Sequence, residues 1–275
     1  MASFKLENDV ACATVDEHAS EIHSFINKQT GLEYMWNGDP KYWAGRNPTL
    51  FPLVGTTWDN KLHIDGKEYP MGRHGFTRRS DFTCVRHDDH EIVMELHQNE
   101  ETLKEYPFDF TLRVKYTLEG SELTIAYEVV NDNDRVMPFN FGLHPAFRCP
   151  IDQKDWFEDY YVEFSDEETF EVDGTRYDHV KRYELNSEEL AKTVIINEPK
   201  SSWASLTNGK HGVKVGCAGY RWLALWSVNA PLVAIEPWYS HMDFEKLEIP
   251  FEKREGTMFL EPHDKFDTSY TITVY

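Results

Sequence analysis

"TLRVKYTLEGSELTIAYEVVND", residues 111–132, carries the clearest structural signal in this sequence. Apolar residues alternate with mostly polar ones on both sides of the short turn Glu119-Gly120-Ser121. The alternating positions are Leu112, Val114, Tyr116 and Leu118 before the turn, and Leu123, Ile125, Tyr127 and Val129 after it. Period-two alternation around a glycine turn is typical of a β-hairpin with one buried face. The stretch therefore predicts two long antiparallel strands.

The same pattern recurs along the chain. "FTCVRHDDHEIVMELHQN" (82–99) predicts a second hairpin, and "DTSYTITVY" (267–275) alternates in the same way. "LALWSV" (223–228) and "PLVAIEPW" (231–238) are short apolar runs suited to buried strands. Many strands without a linker, a repeat or a low-complexity tract predict an all-β fold, a large antiparallel β-sandwich made by a single domain over residues 1–275.

Only one helix is predicted. It falls in "NSEELAKTVI" (186–195), with Asn186 or Ser187 as the N-cap and Glu189 near the capping-box position. No other segment shows sustained periodicity of 3.6 residues.

Charge and cysteine usage narrow the classes of partner. The net charge is -20, which repels phosphate backbones and anionic membranes, so neither nucleic acid nor a membrane is expected as a partner. The cysteines are widely spaced and form no zinc-like motif: Cys12, Cys84, Cys149 and Cys217. The N-terminal "MASFKLENDV" shows no signal-peptide pattern, so we expect a cytoplasmic protein with free thiols. A homodimer is left open.

Three regions combine aromatic bulk with a few polar groups. They are "WAGRNPTLFPLVG" (43–55) with "YPMGRHGFTRRSDF" (69–82), "FNFGLHPAF" (139–147) and "AIEPWYSHMDF" (234–244). Sugar rings present apolar C–H faces and hydroxyl groups, and a sugar site therefore needs aromatic surfaces and a small number of placed polar groups. These regions predict a carbohydrate site.

Glu236 lies at the end of an apolar run, and Pro237 is expected to end that strand. A carboxylate in this position is costly unless it is paired or faces a cleft, and partial burial would raise its pKa toward values useful to a base. Pairing with an arginine or capping of a loop fits the sequence equally well.

His144 has a similar ambiguity, because a lone histidine in an apolar run is more often a hydrogen-bonded core residue than a catalyst. Gly142 indicates a close backbone approach or an unusual dihedral angle, and Pro145 removes a hydrogen-bond donor, so His144 is expected at a strand break. His74 and Arg78 belong to a local basic island in an acidic chain, for which a solvated charge run is the alternative.

Five segments then occur in a characteristic order: "LFPLVG" (50–55), "YPMGRHGF" (69–76), "FGLHPAF" (141–147), "IEPW" (235–238) and "LEPHDKFDTSYTITV" (260–274). Together they resemble the aldose 1-epimerase (galactose mutarotase) superfamily, in its shorter bacterial branch. The resemblance spans about residue 20 to residue 275. It implies a large antiparallel β-sandwich, interconversion of the α and β anomers of a free aldose, and no metal or organic cofactor.

The resemblance also implies roles for individual residues. Glu236 would take the proton of the anomeric hydroxyl, and His144 would give a proton to the ring oxygen. Sugar-binding roles are implied or expected for His74, Arg78, Asp243, Trp238 and Arg46, with Arg46 expected to fill the space of a missing arginine. That arginine usually follows the "FPxxG" glycine, where this chain has Thr56; Ser240 and His241 also differ from the usual pattern.

Three functional hypotheses remain open at this stage. The first is an aldose 1-epimerase for an unphosphorylated hexose. The second is a hexose 6-phosphate mutarotase, motivated by Arg46, Arg73 and Arg78, since arginine suits phosphate recognition. The third is a sugar-binding protein without catalysis, motivated by Thr56.

Overall fold

Antiparallel strands dominate the computed structural model, which describes residues 2–275, with 49% of residues in strands and 8% in helices. The strands are numbered in chain order. The largest sheet has nine, in the spatial order β15 (Thr175–Glu184), β14 (Tyr161–Val172), β17 (Trp203–Thr207), β18 (Gly212–Gly216), β22 (Lys265–Val274), β10 (Glu122–Asn131), β9 (Phe110–Glu119), β8 (Glu91–His97) and β7 (Thr83–His87).

A second sheet carries the candidate site. Its order is β16 (Val194–Asn197), β19 (Trp222–Trp226), β20 (Leu232–Trp238), β12 (Gly142–Leu143) and β4 (Thr49–Leu50), and β13 (Ala146–Arg148) also pairs with β20. Three smaller sheets contain β1 (Ser3–Glu7), β2 (Ala11–Asp16) and β3 (Ile22–Asn27); β5 (Lys61–Ile64) and β6 (Lys67–Pro70); and β11 (Met137–Phe139) and β21 (Met258–Leu260). All of these strand pairs are antiparallel.

The β9–β10 hairpin lies near the middle of the large sheet and shows why the alternating sequence folds in this way. Glu119 pairs with Glu122 across the turn, and Tyr127 pairs with Val114. The alternate residues of both strands pack in a core that also contains Leu225 and Ile235 of the second sheet, and all of them are buried except the partly buried Leu118. Burial of one face of each sheet in a shared core is the sandwich arrangement. The predicted all-β sandwich is confirmed.

Two short helices and three single 3₁₀ turns interrupt the strands. The α-helices are α1 (Glu100–Glu105) and α2 (Ser187–Lys192), and the 3₁₀ turns are Thr77–Arg79, Phe157–Asp159 and Phe251–Lys253. Helix α2 was predicted with its Asn186 cap, whose side chain accepts from two backbone N–H groups. Helix α1 was not predicted, although Asn99 and Thr102 form a capping box at its start. None of the helices found in residues 2–275 has the length and apolar character needed to cross a membrane.

Candidate active site

A gap in the hydrogen-bond ladder beside β20 holds His144. The Ile235 N–H donates to the Pro145 carbonyl at 3.1 Å, and the Tyr239 N–H donates to the Phe141 carbonyl at 2.9 Å. Pro237 lies midway between these donors and has no N–H, so the ladder is interrupted there. The neighbouring chain divides into β12 and β13, and His144 lies between them. The predicted strand break is confirmed, whereas β20 itself continues past Pro237 to Trp238.

His144 and Glu236 face each other across this gap. The His144 Nε2 atom lies 3.4 Å from the Glu236 Oε2 atom. The two residues are only 5% and 1% exposed. His144 Nδ1 and Glu236 Oε2 are buried and have no hydrogen-bond partner among residues 2–275. Buried polar atoms are almost always satisfied in folded proteins, so two unsatisfied atoms at one place indicate a site that is built for a ligand.

Aromatic side chains enclose the His144 imidazole. Trp43 stacks on it with ring centroids 4.7 Å apart and an interplanar angle of 23°. Trp226 and His74 present their edges, at 5.2 Å and 5.6 Å. The Trp36 indole N–H donates to the Trp43 carbonyl at 2.8 Å, which anchors the segment that carries the stacking ring. The imidazole is therefore held in one orientation by packing.

These groups line a cavity of about 180 Å³. The cavity therefore offers space for a small ligand beside the His144–Glu236 pair. The lining residues are Trp43, Arg73, His74, Arg78, His144, Thr193, Trp226, Glu236, Trp238 and Met242. The Trp238 indole Nε1 in this wall is a third buried atom without a partner.

His74 is fixed in both orientation and tautomer by the backbone of Gly55. Its ring Nδ1 atom accepts the Gly55 N–H at 3.0 Å, and the His74 backbone N–H donates to the Gly55 carbonyl at 2.7 Å. Because Nδ1 is an acceptor, the neutral ring carries its hydrogen on Nε2 and can donate from there. His74 adopts a left-handed backbone (φ +66°), and a Cβ on the following Gly75 would lie 2.1 Å from the Phe51 carbonyl oxygen. Only glycine fits that close approach.

Burial dominates the electrostatics of the pair. Burial raises the pKa of Glu236 well above its usual range, and the neighbouring Trp238 and Arg73 oppose this shift only in part. Burial lowers the pKa of His144 to about 3, with smaller contributions from Arg78 and Arg73. Desolvation penalises the charged form of both groups, which accounts for both directions.

Two arginines at the cavity have no partner within the described chain. Neither Arg73 nor Arg78 forms a hydrogen bond or an ion pair with any residue from 2 to 275, and both line the cavity. Arg73 is exposed and Arg78 is half-buried, and burial lowers the pKa of Arg78. In a chain of net charge -20, two free cations at one cavity indicate affinity for an electron-rich or anionic ligand.

The structure does not bring Arg46 and Asp243 into this cavity. The Arg46 guanidinium donates to the Asn37 carbonyl at 2.7 Å and lies 3.1 Å from the His23 ring. Asp243 forms a buried ion pair with Arg254 and accepts the Trp58 N–H at 3.0 Å. Both side chains are occupied in tying loops together.

Four cavity residues were not singled out from the sequence: Trp43, Thr193, Trp226 and Met242. Trp43 opens one of the aromatic stretches, so its position beside "AGRNP" was a usable signal. Thr193 follows α2 in a left-handed conformation (φ +67°), which is rare for a β-branched residue and cannot be read from sequence. No group of three or more potential metal ligands occurs among residues 2–275.

Comparison with known proteins agrees with this geometry. The profile of the aldose 1-epimerase family matches residues 3–237. Protein LacX of Lactococcus lactis subsp. lactis, in plasmid and chromosomal forms, is 31% identical over 99% of both chains. The galactose mutarotase related enzyme from Lactobacillus acidophilus has a TM-score of 0.92 at 28% identity, covering 100% of this chain and 97% of that one.

A galactose mutarotase-like protein from Lactobacillus casei gives a TM-score of 0.89 at 28% identity, with 100% of both chains covered. The family match and the fold agree over most of the chain, and the resemblance drawn from the motifs is confirmed. This chain belongs to the aldose 1-epimerase family and is an isomerase of the mutarotase type.

Proposed function

We propose that this protein is an aldose 1-epimerase that interconverts the α and β anomers of a hexose, with Glu236 and His144 as its acid–base pair. The observation that carries the proposal is the 3.4 Å approach of Nε2 and Oε2 in a buried cavity of sugar size. The two reacting oxygens of a cyclic sugar, O1 and O5, are bonded to the same carbon. An acid and a base that lie close together can therefore reach both oxygens at once, one to remove the O1 proton and one to protonate O5.

Burial favours the uncharged pair, in which Glu236 holds the proton and His144 is neutral. Transfer of that proton from Glu236 to His144 across the 3.4 Å gap gives the reactive form, a carboxylate base and an imidazolium acid, with the same number of protons. Glu236 accepts the proton of the anomeric hydroxyl, and the electrons of the broken O1–H bond form the C1=O1 double bond. The C1–O5 bond breaks, and O5 takes a proton from His144. Rotation about C1–C2 presents the other face of the aldehyde, and the reverse transfers close the ring. One proton is accepted and one donated, so the pair returns to its starting charge.

The remaining cavity residues bind and orient the sugar in this proposal. Trp43 and Trp226 offer apolar faces and exclude water, which strengthens every polar interaction inside the cavity. His74 donates from Nε2 to a hydroxyl or to the ring oxygen. Trp238 donates from its unpartnered indole N–H. Arg78 donates to hydroxyl oxygens from the cavity wall.

Polarimetry of freshly dissolved α-D-galactose and α-D-glucose tests the proposal. Wild-type protein should accelerate mutarotation, and Glu236→Gln should return the rate to that of buffer. Acid or base catalysis by one group typically contributes ~10²–10⁴-fold, so the loss is large enough to measure against the spontaneous reaction. Binding of sugar without acceleration would favour a non-catalytic carbohydrate-binding protein instead.

A hexose 6-phosphate is the second candidate substrate, and the unpaired Arg73 and Arg78 favour it. Phosphate accepts several hydrogen bonds from guanidinium groups, and a charge-assisted pair is stronger than a hydroxyl contact. The test compares kcat/KM for glucose and glucose 6-phosphate in wild type and in Arg73→Ala. If both sugars are used equally well and Arg73→Ala changes neither, the phosphorylated substrate is refuted.

The expected cellular location and oligomeric state of the protein are also proposals. A cytoplasmic location is checked by fractionation of the source cells. A homodimer is checked by light scattering of the purified protein, which distinguishes 32.3 kDa from twice that mass.

A further inference from the structure

A second and larger cavity lies beside the catalytic one. It encloses about 560 Å³ between the segment that contains Thr56 and residues 241–255. The two cavities share one wall: Met242 faces the catalytic cavity, whereas His241 and Asp243 line the second. Met242 packs directly against Gly55, where an added Cβ would lie 2.2 Å from the Met242 Cβ atom. This contact separates the cavities, so the second one is a site of its own.

An unpartnered amide lines the second cavity. Asn140 is only 3% exposed, and its backbone N–H donates to the Pro52 carbonyl at 2.8 Å. Its side-chain amide forms no hydrogen bond with any residue between 2 and 275, although it can make up to four. The amide is therefore free to bind a ligand in the cavity, and a hydroxylated molecule offers both donors and acceptors for it.

The two buried charges of this cavity neutralise each other. Asp243 and Arg254 form an ion pair with each other, and both side chains are more than nine-tenths buried. Asp243 also accepts the Trp58 N–H, and Arg254 donates to the Leu247 carbonyl at 3.0 Å. Glu245, Glu255 and Lys253 also line the cavity, so three acidic and two basic side chains leave it with a net charge of -1. This cavity therefore disfavours an anionic ligand, in contrast to the catalytic cavity with its two free arginines.

An aromatic ring completes the lining. Phe244 is 63% exposed and stacks on the His241 ring, with centroids 5.1 Å apart and an interplanar angle of 15°. Phe244, Leu247 and Ile249 contribute apolar surface to the cavity lining. Thr56 also lines this cavity and brings a hydroxyl group to it. An amide, a hydroxyl and an aromatic face are the groups that recognise a sugar ring.

We propose that this cavity is a non-catalytic binding site for an uncharged saccharide. The site rests on Asn140, Thr56 and Phe244. It depends on neither Glu236 nor His144, so it stands or falls separately from the proposed reaction.

The test uses methyl β-D-galactopyranoside and methyl α-D-glucopyranoside, whose blocked anomeric oxygen prevents turnover. Crystals soaked in each glycoside locate the ligand, and ligand-observed NMR titration of the full chain gives its Kd. Asn140→Leu keeps the side-chain size but removes the amide, and should weaken binding at this site about tenfold or more. Phe244→Ala should weaken it about 2- to 12-fold through the lost stacking surface.

Matched controls separate this site from the catalytic cavity and from general damage. Phe259→Ala removes another exposed phenylalanine, 50% exposed and outside the cavity, and should leave the Kd unchanged. Trp226→Ala alters the catalytic cavity and should also leave binding at the second site unchanged. Phe244 is at the surface, so its variant stays informative even if Asn140→Leu fails to fold. Glycoside density in the catalytic cavity alone, or unchanged binding in Asn140→Leu and Phe244→Ala, overturns the proposal.

Discussion

Replacing Glu236 by glutamine should stabilise this protein at neutral and alkaline pH. The carboxyl is 1% exposed, and burial raises its pKa well above the usual range. The folded protein therefore keeps a proton that the unfolded chain releases near pH 4.5. Stability then falls as pH rises from 4.5 toward the folded pKa, by about 1.4 kcal/mol for each pH unit. Glutamine has nearly the same shape and no charge, so the variant does not incur this loss.

The assay is thermal unfolding of wild type and Glu236→Gln in a series from pH 5 to pH 8. A difference of 1 kcal/mol moves the midpoint by about 2–4 °C in a chain of this size class, so the two curves should diverge by several degrees toward alkaline pH. Glu189→Gln is the matched control, because Glu189 is also buried but accepts hydrogen bonds from the Tyr177 and Tyr183 hydroxyls. That variant should lose stability. Parallel curves for wild type and Glu236→Gln across the whole range would refute the reasoning.

Three further predictions concern the same cavity. Burial lowers the pKa of His144 to about 3, whereas the unfolded histidine titrates near 6.5, so the wild-type protein loses stability as pH falls below 6.5. In the same unfolding series, His144→Asn should lose less stability between pH 6.5 and pH 4, and equal losses in the two proteins would contradict this. Trp43→Ala should raise the pKa of His144 toward 6.5 in an NMR titration and should raise KM, while Trp43→Phe should keep both values near those of wild type. An unchanged His144 pKa in the alanine variant would show that the stacked Trp43 ring does not desolvate the imidazole. Residue 75 has φ +75°, and Gly75→Ala places a Cβ against the Phe51 carbonyl, so the variant should lose about 1–3 kcal/mol of unfolding free energy in urea. An unchanged urea midpoint would show that the backbone relaxes freely.

Local pattern predicted the strands well, because alternation depends on neighbours in the chain. The β9–β10 hairpin and the break at His144 both follow from residues within a few positions of each other. Helix α1 escaped prediction because its six residues show no periodicity, and only the Asn99 cap marks its start.

Contacts between distant segments were harder to foresee. The stack of Trp43 on His144 joins residues about a hundred positions apart, and no local signal encodes it. The expectations for Arg46 and Asp243 considered only their place near other motifs. In the structure the Asn37 carbonyl holds the Arg46 side chain and the buried Arg254 holds Asp243, both outside the catalytic cavity. The extent of the single domain and the roles of the site residues stay predictions.

The most direct measurement is the rate of mutarotation of α-D-galactose, α-D-glucose and glucose 6-phosphate with wild-type protein, Glu236→Gln and His144→Asn, followed by polarimetry at one pH. We expect wild type to accelerate at least one of these sugars and each variant to lose ~10²–10⁴-fold of that acceleration. Acceleration that survives in Glu236→Gln would contradict the acid–base role of the pair, and no acceleration of any of the three sugars by wild type would contradict the proposed activity.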